Sequence, residues 1–222
     1  MKVITENSTA EIVEKKSRFI ANIYYVANVD EAEEKLSAIR KKYFDAKHNC
    51  YAYILGVTGN IEKSSDDGEP QGTAGHPMLD ILKGEELTNC IAIVTRYFGG
   101  ILLGTGGLVR AYSASLKSAL DKAKKAKLQD AYEVEYIVNY DDYGKVEKTV
   151  QAINMNFEEI SKSSIQALDK TFEDTVKLKH LVNDYAFDKY RSEISNITRG
   201  KIILEKNDKK TYYMSNSMIN YL

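Results

Sequence analysis

The stretch NCIAIVTRYFGGILLGTGGLVRAYSASLKSALDKA, from Asn89 to Ala123, decides the fold of the first part of the chain. Its first portion, Asn89–Phe98, alternates apolar side chains between two faces with a period of two, which predicts a buried strand. From Leu108 onward, apolar and small residues recur at helical spacing, which predicts a helix packed closely on a sheet. Between the strand and the helix lie the glycines Gly99, Gly100, Gly104, Gly106 and Gly107.

The segments before this stretch predict the order strand, strand, helix, strand, loop, helix. The loop is the most turn-rich part of the sequence, and long ordered loops are often functional. After it, Pro77 near the start and Gly84 just past the end favour a short helix. The other predicted elements are a hairpin of Glu11–Lys15 and Arg18–Val26, a helix Glu31–Phe44 capped from Asp30, a strand His48–Leu55 and the loop Ser64–Gly75.

A different pattern begins after the lysine-rich segment 124–127. Alternation and helical spacing there predict the order β-α-β-β-α-β, which is the ferredoxin-like pattern. Residues 207–222 either add an edge strand at Thr211–Met214 or fray. The predicted elements are the strand Tyr132–Asn139, a helix capped by Asp141, the strands Phe157–Ser164 and Phe172–Leu181, the helix Tyr185–Ile197 and the strand Lys201–Lys206.

The composition predicts a soluble protein with no general attraction to nucleic acid or membranes. The 222 residues are 43% hydrophobic and carry 31 basic and 32 acidic side chains, for a net charge of -1. An anionic partner must therefore be bound by a local patch. No stretch approaches the roughly 20 apolar residues of a membrane span, and Cys50 and Cys90 lie in apolar runs typical of reduced core cysteines. We therefore expect a cytoplasmic location.

Two segments, SSDDGEPQGTAGHPMLDIL and IVTRYFGGILLGTGGLVRAYSASL, resemble the central motif of the YigZ/IMPACT family. The resemblance covers nearly the whole chain and implies an α+β fold in two domains. Residues 1–129 would form a ribosomal protein S5 domain 2-like domain, with a four-stranded sheet and helices on one face. Residues 130–206 would form a small ferredoxin-like domain similar to elongation factor G domain V, and residues 207–222 a tail or edge strand.

The same resemblance implies a role in translation control, without an established enzymatic activity. Eukaryotic members of the family bind a ribosome-associated activator of the amino-acid-starvation kinase, and they do so with an extra N-terminal module that this sequence does not contain. We therefore expect a non-enzymatic regulatory protein. Its expected partner is RNA, the ribosome or a translation-associated protein, with no membrane and no nucleotide cofactor.

The glycine-rich junction is a candidate anion site, because unpaired amides and the helix dipole at a helix N-terminus favour negative charge. Two arginines near the junction would add forked hydrogen-bond donors. In the alternative interpretation, the glycines provide positive φ angles and close contact, and both arginines pair with acids of the loop. The candidates for binding an anion or an RNA backbone are Arg96, Gly99, Gly100, Gly104, Thr105, Gly106, Gly107, Arg110, Lys117 and Lys124.

The motifs for nucleotide cofactors are incomplete at this junction. Gly99 and Gly104 have the spacing of a P-loop, but Thr105 and Gly106 stand where Lys and Ser or Thr are required. Val109 occupies the last glycine position of GxGxxG. We therefore expect no cofactor.

The lysines after the junction predict a basic end to the long helix. They stabilise the helix dipole, or they contact phosphates if Arg110, Lys117 and Lys124 share one exposed face, with exposed tyrosines stacking on bases. The lysines concerned are Lys117, Lys122, Lys124, Lys125 and Lys127.

The turn-rich loop supports a competing hypothesis, a metal-assisted hydrolase that uses its acids and His76. Carboxylates are suitable Mg²⁺ ligands, although acids beside Gly and Pro are commonly turn formers. His48 and Cys50 share a strand face, but no nucleophile motif accompanies them, and we assign no catalytic residue. A purely protein-binding module is a third hypothesis. The loop motif comprises Asp66, Asp67, Gly68, Glu69, Pro70, Gly72, Thr73, Gly75 and His76, of which Asp66, Asp67 and Glu69 are the metal candidates.

Overall fold

The chain falls into two compact units in a computed structural model that describes residues 1–156, 164–216 and 218–222. The first unit is Met1–Leu128 with Tyr213–Asn220 and Leu222, and the second is Gln129–Tyr212 with Tyr221. No helix in the described ranges combines the length and the apolar character that crossing a membrane requires.

The elements up to Lys127 confirm most of the predicted order and add three strands. In chain order they are β1 (Lys2–Glu6), β2 (Ser8–Glu14), β3 (Ser17–Tyr25), α1 (Val29–Lys42), β4 (His48–Leu55), β5 (Ile61–Ser65), α2 (Gly75–Gly84), β6 (Cys90–Tyr97), α3 (Thr105–Lys122) and β7 (Lys124–Lys127).

The first unit is built around an antiparallel five-stranded sheet with the order β2-β3-β6-β4-β5. The central strand β6 has the predicted alternation, and both of its faces are covered. Ala92 and Val94 belong to a core formed with α2 and α3, whereas Ile91 and Ile93 belong to a core formed with α1. The expectation of four strands with helices on one face is therefore wrong, because the apolar stripe of α1 covers the second face.

The predicted hairpin is confirmed as β2 and β3. Lys15 and Lys16 have positive φ angles of 46° and 65° and form a two-residue turn between the paired residues Glu14 and Ser17, as the twist of a hairpin favours.

Helix α1 is confirmed, but its cap lies two residues before the predicted one. Asn28 Oδ1 accepts the Glu31 N–H at 2.9 Å, and the Glu31 carboxylate accepts the Ala27 N–H at 2.9 Å. Asn28 is therefore the cap, and Glu31 reaches back to the residue before it rather than to the cap itself, so the assignment of the cap to Asp30 is wrong.

The predicted basic end of the long helix is wrong beyond Lys122. Helix α3 ends there, and the next lysines form β7, which pairs antiparallel with β1. Lys124 Nζ lies 2.6 Å from Glu6 Oε2, and Lys125 Nζ lies 2.8 Å from Glu85 Oε2. The local sequence resembles a charged helix terminus, whereas a partner strand more than a hundred residues away determines the structure.

The later elements form a second sheet, with the order β12-β11-β8-β10-β9. The pairs β10–β8, β10–β9 and β11–β8 are antiparallel, and the order β11-β8-β10-β9 is that of a ferredoxin-like sheet. The elements are β8 (Gln129–Val138), α4 (Tyr140–Asn156), β9 (Ile165–Phe172), β10 (Val176–Asn183), α5 (Asp184–Ile197), β11 (Lys209–Ser215) and β12 (Met218–Tyr221).

Three predicted strands of this region require correction or comment. The strand Phe157–Ser164 lies outside the described residues except for Ser164, which is in no strand. The strand Phe172–Leu181 is wrong at its start, because Phe172 ends β9 and β10 begins at Val176. The strand Lys201–Lys206 is also wrong: the segment has no regular structure, and the strand at Thr211–Met214 takes its place as part of β11.

Candidate functional site

The glycine-rich junction packs directly against the turn of the β2-β3 hairpin. The Gly99 N–H donates to Ser17 Oγ at 3.1 Å. A Cβ atom on Gly99 would lie 2.0 Å from the carbonyl carbon of Lys16, so this approach requires glycine. Gly104 precedes α3 with a φ of 73° and without a side-chain cap. Both glycines therefore have structural roles.

Arg96, near the end of β6, is buried in an ion pair. Its Nη1 donates to Glu69 Oε1 at 2.7 Å, and its guanidinium carbon lies 5.4 Å from the centre of the Phe19 ring. The Tyr112 hydroxyl donates to the same Glu69 oxygen at 2.8 Å. Arg96 thus pairs with an acid of the loop, as the structural alternative predicts, and its charge is directed to the interior.

Arg110 has the opposite environment. It is exposed on α3 and forms no ion pair with any residue that the structure describes. It lines a pocket of about 210 Å³ together with Glu14, Lys15 and Leu103. The two arginines therefore do not converge on one anion, because Arg96 lies inside the protein and Arg110 faces solvent.

The other basic candidates are separated in the same way. Lys117 is exposed on α3, seven residues after Arg110, whereas Lys124 lies in β7 and pairs with Glu6. A longer helix would place Arg110, Lys117 and Lys124 on one face. Because α3 ends at Lys122, that predicted face is not formed.

Asp66 caps helix α2 from the loop. Its Oδ1 accepts the N–H groups of Ala74 and Gly75, each at 2.9 Å, and its Oδ2 accepts the Gly72 N–H at 2.8 Å. Burial raises the pKa of this carboxyl, but the three amide hydrogen bonds outweigh burial and lower the pKa below its usual value. The carboxylate satisfies amides at the start of α2 that no local side chain reaches.

We expect Asp66→Ala to lower the free energy of unfolding by about 1–2 kcal/mol, as the loss of a helix cap does. The pKa is lowered in the folded state, so this contribution is present above the unfolded pKa of about 3.9 and is lost as the pH falls through the folded value. Urea unfolding followed by circular dichroism measures the change. Asp80→Ala, on the exposed side of α2, is the control, and equal stabilities of the two variants at pH 7 would contradict the capping role.

The remaining loop acids bind other donors. Asp67 accepts from Arg40 at 3.0 Å and from the Asn49 N–H at 2.7 Å, while Glu69 binds Arg96 and Tyr112. The three carboxylates of the loop therefore do not converge on a common point. In the described ranges, no group of three or more His, Cys, Asp or Glu residues has the geometry to hold a metal ion.

The histidine and cysteine candidates of this unit are also engaged in structural contacts. His48 Nδ1 lies 2.9 Å from the Asp67 carbonyl oxygen, and Cys50 Sγ donates to the Asp66 carbonyl oxygen at 2.9 Å. Burial raises the pKa of the Cys50 thiol to about 12, so the sulfur is not a thiolate near neutral pH. His76 is exposed, with Nε2 3.9 Å from Asp80 Oδ2. Among the described residues, no Ser, Thr or Cys side chain forms a hydrogen bond with either histidine.

Tyr112 is a site residue that sequence reasoning missed. Its place in the apolar stripe of α3 is typical of a core residue, and it is fully buried. Its hydroxyl nevertheless lies between Glu69, to which it donates, and Cys50, whose Sγ is 3.3 Å away. A signal was present, since a buried tyrosine hydroxyl requires a hydrogen-bond partner.

A second buried polar cluster, also missed from sequence, lies in the second unit. His180, 1% exposed, has Nδ1 2.8 Å from the Tyr190 hydroxyl and 3.3 Å from the Tyr136 hydroxyl. The two hydroxyls are hydrogen-bonded to each other. Burial and, to a lesser extent, the nearby Lys170 ammonium lower the pKa of His180 to about 4, so the imidazole is neutral at pH 7.

Acidification is expected to destabilise the second unit through His180. The unfolded histidine binds a proton near pH 6.5, whereas the folded one does so only near pH 4, so stability falls as the pH decreases between these values. We expect His180 to contribute a loss of about 3 kcal/mol between pH 7 and pH 4. Urea unfolding at both pH values measures it. His180→Gln, which keeps a side-chain hydrogen-bonding group, should show a smaller loss, and an equal loss in both proteins would contradict the assignment.

Comparisons with known proteins agree with these features. The model of the Impact N-terminal domain matches residues 15–120, which include the loop motif and the glycine-rich junction. The IMPACT family member YvyE of Bacillus subtilis is 38% identical over 87% of this chain and 86% of its own length. An IMPACT family member of Haemophilus influenzae is 33% identical over 86% of this chain and 89% of its own length.

A solved structure matches nearly the whole chain. The crystal structure of a hypothetical protein, 28% identical in sequence, covers 93% of this chain and 98% of its own length with a TM-score of 0.55. This likeness agrees with the α+β fold in two parts. On the identity and coverage of its relatives, the chain belongs to the IMPACT family.

Proposed function

We propose that this protein is a non-enzymatic, cytoplasmic regulator of translation that binds RNA, the ribosome or a ribosome-associated factor. The translational role is supported by membership of the IMPACT family. The absence of a catalytic role is supported by the loop motif, whose three carboxylates are bound to backbone amides, to Arg40, and to Arg96 with Tyr112. The residues of the family motif thus have structural roles, and we assign the binding function to the surface around them.

One observation carries the proposal, namely the exposed surface of the glycine-rich junction. We call it the junction surface and define it by Phe98, Ile101, Leu102 and Arg110. Leu102 is 83% exposed and Phe98 55% exposed, and Arg110 has no ion pair with a described residue. Exposed large apolar side chains mark interaction sites, and aromatic residues and arginine are enriched in binding surfaces.

We expect Arg110→Ala to reduce the material captured from lysate by roughly tenfold or more, because a hydrogen bond to a charged group contributes about 1.5–3 kcal/mol. The tagged full chain is used as bait, with and without nuclease, and the bound RNA and proteins are identified. Arg191→Ala, which removes an exposed arginine of the second unit, is the control. Equal losses for the two variants, or no loss for Arg110→Ala, would show that the junction surface is not the binding site.

The nuclease treatment separates the partner classes. Loss of ribosomal material after nuclease indicates binding through RNA, and retention of a translation factor indicates a purely protein-binding module. Retention of neither RNA nor translation proteins under any condition would contradict the proposed function. No observation favours the metal-assisted hydrolase, because the loop carboxylates are bound to separate donors.

A further inference from the structure

One end of the five-stranded sheet brings together three segments that are distant in sequence. Strand pairing places Arg18 opposite Tyr97, and His48 opposite Arg96. The start of β3, the end of β6 and the segment 43–47, which leads into β4, therefore meet at this end. We call it the sheet-end surface and define it by Arg18, Lys41, Lys42, Tyr43, Phe44, Lys47 and Tyr97.

The aromatic rings of this surface alternate with cations. The Arg18 guanidinium carbon lies 5.5 Å from the centre of the Tyr97 ring, and Lys42 Nζ lies 5.1 Å from the centre of the Tyr43 ring. The Tyr97 hydroxyl donates to Asp45 Oδ1 at 2.6 Å, which ties segment 43–47 to β6. Phe44 is 85% exposed and makes no ring contact with a described residue, so both of its faces are open to a ligand.

Three cations of this surface have no counter-ion among the described residues. Lys41, Lys42 and Lys47 are exposed and form no ion pair in the described part of the chain. Glu11 binds Arg18 at 2.8 Å, and Asp67 binds Arg40 at 3.0 Å. Asp45 accepts from the Tyr97 hydroxyl and keeps its negative charge, so three lysines stand against one carboxylate in this segment. In a chain with a net charge of -1, this is a local basic patch that includes an exposed ring.

We propose that the sheet-end surface binds single-stranded RNA, with a base stacked on Phe44 and phosphates bound by Lys41, Lys42 and Lys47. Stacking on aromatic rings between cations that follow the backbone is the mode by which proteins bind single strands. An acidic peptide would use the lysines but would engage the exposed ring only through an aromatic side chain of its own, whereas every nucleotide carries a base that stacks. The inference rests on the proposed function in one respect, since it selects RNA among its possible partners and assigns RNA a site separate from Arg110.

The test uses the purified full chain and a fluorescent oligouridylate of about 12 nucleotides, with binding followed by anisotropy at about 50 mM salt. We expect Phe44→Ala to weaken binding by roughly 5- to 100-fold, and Phe44→Tyr, which keeps a stacking ring, to restore most of it. Phe172→Ala removes an exposed phenylalanine of the second unit and is expected to leave affinity unchanged. An unchanged affinity in Phe44→Ala would overturn the stacking role.

The lysines are tested by the salt dependence of binding. Replacing Lys41, Lys42 and Lys47 by Gln should flatten the slope of log affinity against log salt by about 2, since each phosphate contact on a single strand contributes about 0.7. The charge-matched control replaces Lys148, Lys201 and Lys210, three exposed lysines, by Gln. Equal effects of the two triple variants would overturn the site, because net charge alone would then explain the loss.

The outcomes distinguish this inference from the proposed function. If the purified chain binds no oligouridylate while lysate capture still retains translation proteins, the inference fails and the proposed function stands. If double-stranded RNA or anionic vesicles bind as tightly as the single strand, the assignment of partner class fails. Preferential binding of the single strand that requires both Phe44 and the lysines would support it.

Discussion

Replacing Glu69 by Ala is expected to lower the free energy of unfolding of the first unit by about 3–5 kcal/mol. The change leaves the Arg96 guanidinium buried without its counter-ion, and removing one partner of a buried ion pair has a cost of this size. The Tyr112 hydroxyl loses its acceptor at the same time, and an unsatisfied buried hydroxyl adds to the loss. Urea unfolding followed by circular dichroism is a suitable measurement, since the chain has no Trp for fluorescence.

The matched control is another arginine–glutamate pair of the same sheet. Glu11 and Arg18 lie 2.8 Å apart, but their side chains are 41% and 52% exposed, compared with 3% and 7% for Glu69 and Arg96. We expect Glu11→Ala to change stability by no more than about 1 kcal/mol. Similar effects of Glu69→Ala and Glu11→Ala would mean that burial does not determine the strength of the pair.

A double variant distinguishes the effect of losing the buried charges from the effect of losing the side-chain volume. Glu69→Leu combined with Arg96→Met removes both charges and keeps apolar volume, and such replacements are often neutral or stabilising. We expect it to be more stable than Glu69→Ala alone, even though Tyr112 remains without its acceptor. If the double variant is less stable than Glu69→Ala, the ion pair stabilises the fold beyond cancelling the cost of burying its two charges.

The sequence predicted those elements whose signal is local and repeated. Strand β6 and helix α3 were predicted because period-two alternation and helical spacing each extend over many residues there. Strands β1 and β7 were missed because β1 is short, β7 is a run of lysines, and the pairing of Lys2 with Lys127 has no local signal. The segment 201–206 was predicted as a strand, yet Leu204 is buried without any strand. A side chain can be buried by packing whatever the conformation of its backbone.

The sequence predicted which residue types the candidate site contains, but not which of them contact one another. The residue types Arg96 and Arg110 predicted either an anion site or pairing with acids of the loop, and the sequence left the choice open. The tertiary structure separates the two, because Arg96 lies on an inward-facing position of β6 and Arg110 on the outer side of α3. Which of the three loop acids meets Arg96 depends on the path of the turn at Gly68. That path is fixed by contacts distant in sequence, including the hydrogen bond that the Asn49 N–H donates to Asp67 Oδ2.

Gly99→Ala is expected to destabilise the first unit by about 3 kcal/mol, at the upper end of the range for an overpacked site. The added Cβ would lie 2.0 Å from the carbonyl carbon of Lys16, 2.1 Å from its oxygen and 2.4 Å from the Ser17 nitrogen. These are backbone atoms of the hairpin turn, so no side-chain rotation relieves the contact. The turn or the junction must move, and the bond from the Gly99 N–H to Ser17 Oγ at 3.1 Å is lost with either movement.

Two other alanine substitutions in the same unit distinguish this cause from general effects of glycine replacement. Gly84 has open space around it and no positive φ, so Gly84→Ala should be neutral or stabilising by up to about 1 kcal/mol. Gly100 also has open space but a φ of 85°, so Gly100→Ala should cost about 1 kcal/mol through its left-handed backbone alone. We expect Gly84→Ala to be the most stable of the three variants, Gly100→Ala to be intermediate and Gly99→Ala to be the least stable. If Gly99→Ala is no worse than Gly100→Ala, backbone conformation rather than contact with the hairpin explains the glycines of the junction.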